Sequence, residues 1–218
     1  MILGDGTLAE AIAFHLPDGP SRLIWCAYDT PIRDDGSPDT ESVLDRLRGA
    51  LEWVAAGQLV VICSQLPIGT CAALEVEFPQ HEFVVYPENV RAAHAVEDFA
   101  SQDRVVLGAR TRIHAEQIAL MLEPFSSQFF ITTPETAEMV KHALNGFLAV
   151  SICYAQEIAR LATKHGADPD VLAEALLTDH RIGPSAYLRP AGELGPHLGR
   201  EVHNLLALGG GPLIQALA

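Results

Sequence analysis

Apolar positions recur along the chain in two rhythms. Up to about residue 132, short apolar runs at Met1–Leu3, Arg22–Ala27, Leu59–Cys63, Glu82–Tyr86, Arg104–Leu107 and Gln128–Ile131 are separated by longer amphipathic stretches. Several runs are rich in Val and Ile and show no strict alternation, the pattern of strands buried on both faces. The stretches between them predict helices at roughly 7–15, 40–56, 70–77 and 112–122. This alternation specifies an α/β fold, an abbreviated Rossmann-like doubly wound and mostly parallel sheet.

After residue 132 the strand rhythm stops. Apolar residues at Val140, Leu144, Phe147, Leu148, Ile152, Ala155, Ile158 and Ala162 keep a helical period. They predict one helix from Pro134 to His165, with Thr133 as its N-cap, Pro134 in its first position and Gly166 as its stop. A second helix is expected over Pro169–Leu177 and a third over about Arg200–Leu208. The expected organisation is a shortened dinucleotide-binding domain over 1–132, an all-helical domain over 133–208 and a loose tail over 209–218.

Composition narrows the function classes. The 218 residues are 49% hydrophobic and 19% charged, enough to bury a core. The net charge of −14 argues against a nucleic-acid surface, which needs a basic footprint. No apolar run is long enough for a membrane helix, and MILGDG lacks the basic start of a signal peptide. Cys26, Cys63, Cys71 and Cys153 form no CxxC pair and no metal-ligand spacing, so they read as reduced thiols of a cytoplasmic protein.

Two segments carry candidate chemistry. Gly4-Asp5-Gly6-Thr7-Leu8-Ala9 follows a strand and opens a helix, the setting in which GxGxxA aims helix N–H groups at a pyrophosphate. An ordinary strand–helix turn is the alternative. The fingerprint also expects an acidic residue about twenty positions on, at the end of a second strand. Here Pro17-Asp18-Gly19-Pro20 leads straight into Arg22–Ala27, leaving no room for a strand, helix and strand. The second segment places Glu138, Lys141 and Asn145 on one helix face. A lysine and an amide there can stabilise an oxyanion, and a solvated stripe is the plainer alternative.

Six segments in order resemble the UDP-glucose/GDP-mannose dehydrogenase family. Tyr28-Asp29-Thr30-Pro31 resembles its V-x-T-P, and Ser64-Gln65-Leu66-Pro67-Ile68-Gly69-Thr70 its S-T-V-P-x-G-T. Pro87-Glu88-Asn89-Val90-Arg91, followed by Asp103-Arg104-Val105-Val106-Leu107-Gly108, resembles P-E-F-L-R-E and D-R-V-V-I-G. The run from Ala137 to Ala149 resembles A-E-L-V-K-Y-A-x-N-A-F-L-A. Gln156-Glu157-Ile158-Ala159 resembles N-E-I-A, and Asp179-His180-Arg181-Ile182-Gly183 resembles D-x-R-I-G.

The resemblance implies oxidation of a nucleotide sugar's C6 alcohol to a carboxylate with two equivalents of NAD, through a thiohemiacetal on a cysteine. It implies Lys141 and Asn145 as oxyanion stabilisers, Glu88 as a glutamate of the P-E-F-L-R-E segment, and Arg181 as an arginine reaching the substrate across a dimer interface. It puts Gly4, Gly6, Thr7, Thr30, Pro31 and Ser64 at the cofactor, Gln65 at the substrate, and a homodimer on helix 134–165.

The match departs from the family at several places. Gln65 stands for the threonine that helps hold the catalytic water, and Ala92 for the second glutamate. The nucleophile position falls on His197, within Leu194–Glu201, and a one-residue shift gives Leu198; neither is a cysteine. A thiolate forms near neutral pH and attacks strongly, and histidine forms no equivalent hydride-donating adduct. His197 could act as a general base or be a solvent-exposed histidine, while Glu201 keeps the acidic character of the family's aspartate. The missing strand–helix–strand takes much of the adenosine pocket with it, so NAD is in doubt, and the first strand is expected at a sheet edge. The chain is expected to stop where the family's C-terminal domain begins. The expectation is a family member unable to complete the four-electron oxidation. It would be a reduced enzyme, a pseudoenzyme binding a nucleotide sugar or other small molecule, or a cofactor-free enzyme using the cleft for another substrate.

Overall fold

The computed structural model describes residues 1–16, 22–87, 90–189 and 195–217. The chain divides into two compact units. The first is Met1–Pro31 with Asp39–Lys141, and the second is Ile32–Pro38 with His142–Ala218.

The first unit is a six-stranded sheet in sequential order, β1 (Ile2–Leu3), β2 (Leu23–Cys26), β3 (Leu59–Ile62), β4 (Glu82–Val85), β5 (Val105–Ala109) and β6 (Phe129–Thr132). All neighbours are parallel except β4 and β5. The helices are α1 (Thr7–His15), α2 (Thr40–Trp53), α3 (Thr70–Glu77), α4 (Ala95–Ala100) and α5 (Arg112–Leu122). Strand side chains alternate between two cores. Leu23, Trp25, Val61, Val84, Val105 and Leu107 face α1, α4 and α5. Ile24, Cys26, Val60, Ile62, Val85 and Val106 face α2 and α3. Burial on both faces explains the continuous apolar runs of the sequence. α4, in a stretch given no helix by its sequence pattern, buries Ala95 and Phe99. At six residues it is too short to show a helical period.

β1 lies at the sheet edge. α1 and α2 link successive parallel neighbours in the same direction across the sheet, yet they pack on opposite faces. The two connections therefore have opposite hands. α3 shares the hand of α2, and so does α5, because both its face and its strand direction are reversed. This leaves β1–α1–β2 as the exception to a rule obeyed by about 98% of such connections. Deleting the second and third strands from a doubly wound sheet of order 3-2-1-4-5-6 produces this geometry. The first strand then pairs directly with the strand on its other side. The short link from Leu16 to Arg22 stands in that place.

The second unit is helical. The long helix α6 (Pro134–Lys164) begins in the first unit and runs through the second. Thr133 caps it by accepting from the Thr136 N–H at 3.3 Å, and Gly166 follows in the left-handed region at φ 75°. Next come α7 (Pro169–Leu177), α8 (Pro196–Ala207) and α9 (Pro212–Gln215). α7 has Asp168 as N-cap and Pro169 in its first turn. Two expectations need correction. The third helix of this region starts at Pro196 rather than near Arg200, because Pro196 is suited to a first helical turn. The stretch expected as a loose tail contains the single turn α9, which also begins at a proline.

Candidate functional site

In an open α/β sheet, ligands bind at the carboxyl ends of the strands, in the crevice that opens where adjacent strands send their helices to opposite faces. In the first unit this point falls between β1 and β2. Gly4 leaves β1 with φ 152°, and a Cβ there would lie 2.2 Å from the Ala27 carbonyl oxygen, so only glycine fits. Gly6 is the N-cap of α1 and Thr7 its first residue. A Cβ on Gly6 would meet the Asp29 carboxyl group, 2.2 Å from Cγ and Oδ2 and 2.3 Å from Oδ1. Asp29 and Asp5 are both exposed. Arg46 forms an ion pair with Asp5 at 3.0 Å, and its guanidinium lies 4.2 Å from the centre of the Tyr28 ring.

The ends of β2 and β3 are fastened together beside this turn. The Tyr28 N–H donates to Ser64 Oγ at 2.9 Å, and Ser64 Oγ donates to the Cys26 carbonyl at 3.3 Å. The buried Thr30 hydroxyl donates to the Gln65 carbonyl at 2.8 Å. The structure thus brings Gly4, Gly6, Thr7, Thr30, Pro31, Ser64 and Gln65 to one end of the sheet. The Ser64 and Thr30 hydroxyls already hold loop backbone there.

Glu138 does not belong to a solvated stripe. Its buried carboxylate accepts from the Gly69 N–H at 2.6 Å and the Cys71 N–H at 2.9 Å, capping the N-terminus of α3. Gly69, at φ 91°, sits there as the helix N-cap. Arg110 reinforces the junction by pairing with Glu75 at 2.9 Å and with both oxygens of Glu135. Lys141, one turn beyond Glu138, is half-buried, and Asn145 follows one turn later.

In the second unit, Asn145 and Glu201 meet a residue that the sequence did not single out. The His142 Nδ1 lies 2.5 Å from Glu201 Oε1, and Asn145 Nδ2 donates to Glu201 Oε2 at 3.4 Å. Glu201 is 0% exposed and His142 2%. The glutamate read as the counterpart of a catalytic aspartate therefore has both oxygens engaged inside the unit. His197 is exposed in the first turn of α8. Arg181 is exposed and fork-paired to Asp179, at 3.0 Å through Nε and 2.6 Å through Nη2. Its guanidinium holds the Asp179 carboxyl below the usual range. Glu88 lies outside the described residues.

Cys26, Cys63 and Cys71 are buried and free, and Cys153 is half-buried on α6. Burial pushes the Cys26 and Cys71 thiols far above the usual range, helped at Cys71 by Glu75 and Glu138. Among the described residues no cluster of His, Cys, Asp or Glu could hold a metal ion, and no helix is long and apolar enough to cross a membrane. The two residues missed in the sequence, Asp29 and His142, each carried a signal. Asp29 fills the x of V-x-T-P beside the glycine turn, and His142 stands where the resemblance has a tyrosine.

The comparisons with known proteins agree with this architecture. Residues 20–126 match the model of the UDP-glucose/GDP-mannose dehydrogenase family's NAD binding domain, and residues 135–210 that of its central domain. A UDP-glucose 6-dehydrogenase of Bacillus subtilis is 27% identical over 213 residues, covering 94% of this chain and 48% of that protein. One of Rickettsia felis is 30% identical over 170 residues, covering 75% of this chain and 38% of that protein. The structure of a UDP-glucose dehydrogenase from Pyrobaculum islandicum superposes with a TM-score of 0.78 at 25% identity, covering 98% of this chain and 51% of that one. The chain thus spans about half or less of the relatives it matches. With its Rossmann-like sheet followed by a helical region, it belongs to the UDP-glucose/GDP-mannose dehydrogenase family.

Proposed function

We propose that the chain binds a nucleotide sugar, as a homodimer in the cytoplasm, and does not carry out the four-electron oxidation. The observation that carries this reading is His197. Counting from Lys141 and from Arg181 gives the nucleophile's position to an exposed histidine in the first turn of α8. The second unit's thiol, Cys153, lies elsewhere, in the middle of α6. Without a thiolate to trap the aldehyde, the second hydride has no covalent adduct to leave from. Lys141 and Asn145 keep the residue types that can donate to a sugar or phosphate oxygen. Arg181 is held by Asp179 through Nε and Nη2, which turns its other guanidinium edge, Nη1 with Nη2, to an anionic group.

The dimer is supported by the surface of α6 within the second unit. Phe147, Tyr154 and Leu161 are exposed and spaced seven apart, so they form one apolar stripe two turns per step. Replacing Phe147 and Tyr154 together by glutamate is expected to halve the mass measured by light scattering.

Function is tested by two measurements on the purified full chain. Calorimetric titration with UDP-glucose is expected to show binding, weakened about tenfold or more by Lys141→Ala at unchanged melting temperature. Incubation with UDP-glucose and NAD is expected to produce no absorbance at the wavelength of NADH. Formation of two NADH per sugar would overturn the reading of the nucleophile. Absence of UDP-glucose binding to folded protein would overturn the nucleotide-sugar reading.

A further inference from the structure

We propose that Asp29 excludes a dinucleotide from the Gly4–Thr7 turn, so that this chain holds no NAD there. In the GxGxxG turn the second glycine lacks a side chain so that the backbone can approach the pyrophosphate. Here that glycine is Gly6, and the space its missing Cβ opens is taken. All three carboxyl atoms of Asp29 lie 2.2 to 2.3 Å from where that Cβ would stand. A phosphate oxygen can enter only if the Asp29 side chain swings out of that volume and gives up its place beside the start of α1.

Charge acts in the same direction. The positive end of the α1 dipole, which would attract a phosphate, already faces the Asp29 carboxylate. Asp5, inside the turn, adds a second exposed carboxylate. Arg46 sits over the Tyr28 ring and is paired with Asp5. A dinucleotide would bring its two phosphate charges against both acids. Among the described residues, β1 is the edge of the sheet, and no strand stands between α1 and β2 whose acidic end could hold the adenosine ribose.

This inference needs only the first unit and does not depend on nucleotide-sugar binding. The experiment is calorimetric titration of the full chain with NADH, repeated with Asp29→Ala and Asp29→Asn. Asp29 is exposed, so both variants are expected to keep the parent's melting temperature. The parent is expected to bind NADH more weakly than about 1 mM. Asp29→Ala, which removes volume and charge, is expected to bind at least about tenfold more tightly. Asp29→Asn, which keeps the volume, is expected to recover only part of that gain. Micromolar binding of NADH to the parent overturns the proposal. So does an Asp29→Ala variant that binds no better than the parent. A parallel titration with UDP-glucose separates the two readings: its failure sinks the proposed function and leaves the NADH series to decide this one.

Discussion

Glu201 and His142 make the sharpest test of the second unit. Both are essentially excluded from solvent, and their side chains approach to 2.5 Å, with Asn145 on the remaining carboxylate oxygen. Truncating Glu201 to alanine leaves a buried imidazole and a half-buried amide facing an apolar void. Breaking a buried pair by removing one partner costs about 3–5 kcal/mol. In a chain of this size each kcal/mol moves the melting temperature by roughly 2–4 °C, so Glu201→Ala is expected to melt about 6–20 °C lower. Glu201→Gln keeps an acceptor for the imidazole and should lose about 1–2 kcal/mol. The decisive variant removes both polar groups. His142→Leu with Glu201→Leu removes the buried imidazole together with the carboxylate, so that only the half-buried Asn145 amide is known to lose its acceptor, and should be more stable than Glu201→Ala by about 2 kcal/mol, a coupling typical of residues in one network. Melting is followed by circular dichroism and calorimetry. If Glu201→Ala melts within about 2 °C of the parent, the carboxylate is not a buried partner of His142 and the reasoning fails.

Three further outcomes follow from the geometry. Gly4→Ala must push a Cβ against the Ala27 backbone and is expected to cost roughly 2–3 kcal/mol, whereas Gly6→Ala meets only the movable Asp29 side chain and should fold with near-parent stability; thermal melts of the pair decide this. Native protein treated with a thiol reagent should label at Cys153, with Cys26, Cys63 and Cys71 reacting only after denaturation, as peptide mapping would show. Asp98 is held at about 2 by hydrogen bonds from Arg91 to its carboxylate, so its folded pKa lies below the unfolded one. The resulting stability is present above about pH 4 and lost as pH falls towards 2. Hydrogen exchange at α4 should therefore accelerate in that window, and Asp98→Asn should abolish the acceleration.

Much of the fold was legible because burial on two faces writes an unmistakable pattern. The six apolar runs became the six strands, and Thr133, Pro134 and Gly166 marked the ends of α6. The segment from Leu16 to Arg22 left no room for a strand, helix and strand, and the edge position and reversed hand of β1–α1–β2 fit that loss. What escaped depends on long-range contacts. Glu138 shares a helix face with Lys141, and nothing in its spacing says that its carboxylate caps a helix 67 residues earlier. His142 pairs with Glu201 across 59 residues, a contact that helical periodicity does not encode. Asp29 is a case between the two. Its position beside Thr30 and Pro31 was plain, but its meaning depends on where the Gly6 backbone lies.

The departures from the family's chemistry fall in different units and involve unrelated groups. The Asp29 carboxyl lies where a Cβ on Gly6 would stand in the first unit, and the sequence count gives the nucleophile's position to His197 in the second. Each would impair oxidation alone. Hydride has nowhere to go without a dinucleotide, and the aldehyde cannot be carried to the acid without a covalent adduct. A chain selected for the oxidation would be expected to keep both, and one that had lost a single part through recent drift would still show the other. Losing both while keeping Lys141, Asn145 and Arg181 supports a chain that holds a polar ligand rather than one that oxidises it. The Asp29→Ala variant bears on this directly. If it gains dinucleotide affinity yet releases no more than one NADH per UDP-glucose, the cofactor site and the nucleophile are separable losses. If it gains affinity and releases two NADH per sugar, His197 is no obstacle, and the thiolate requirement argued for the second hydride is wrong for this chain.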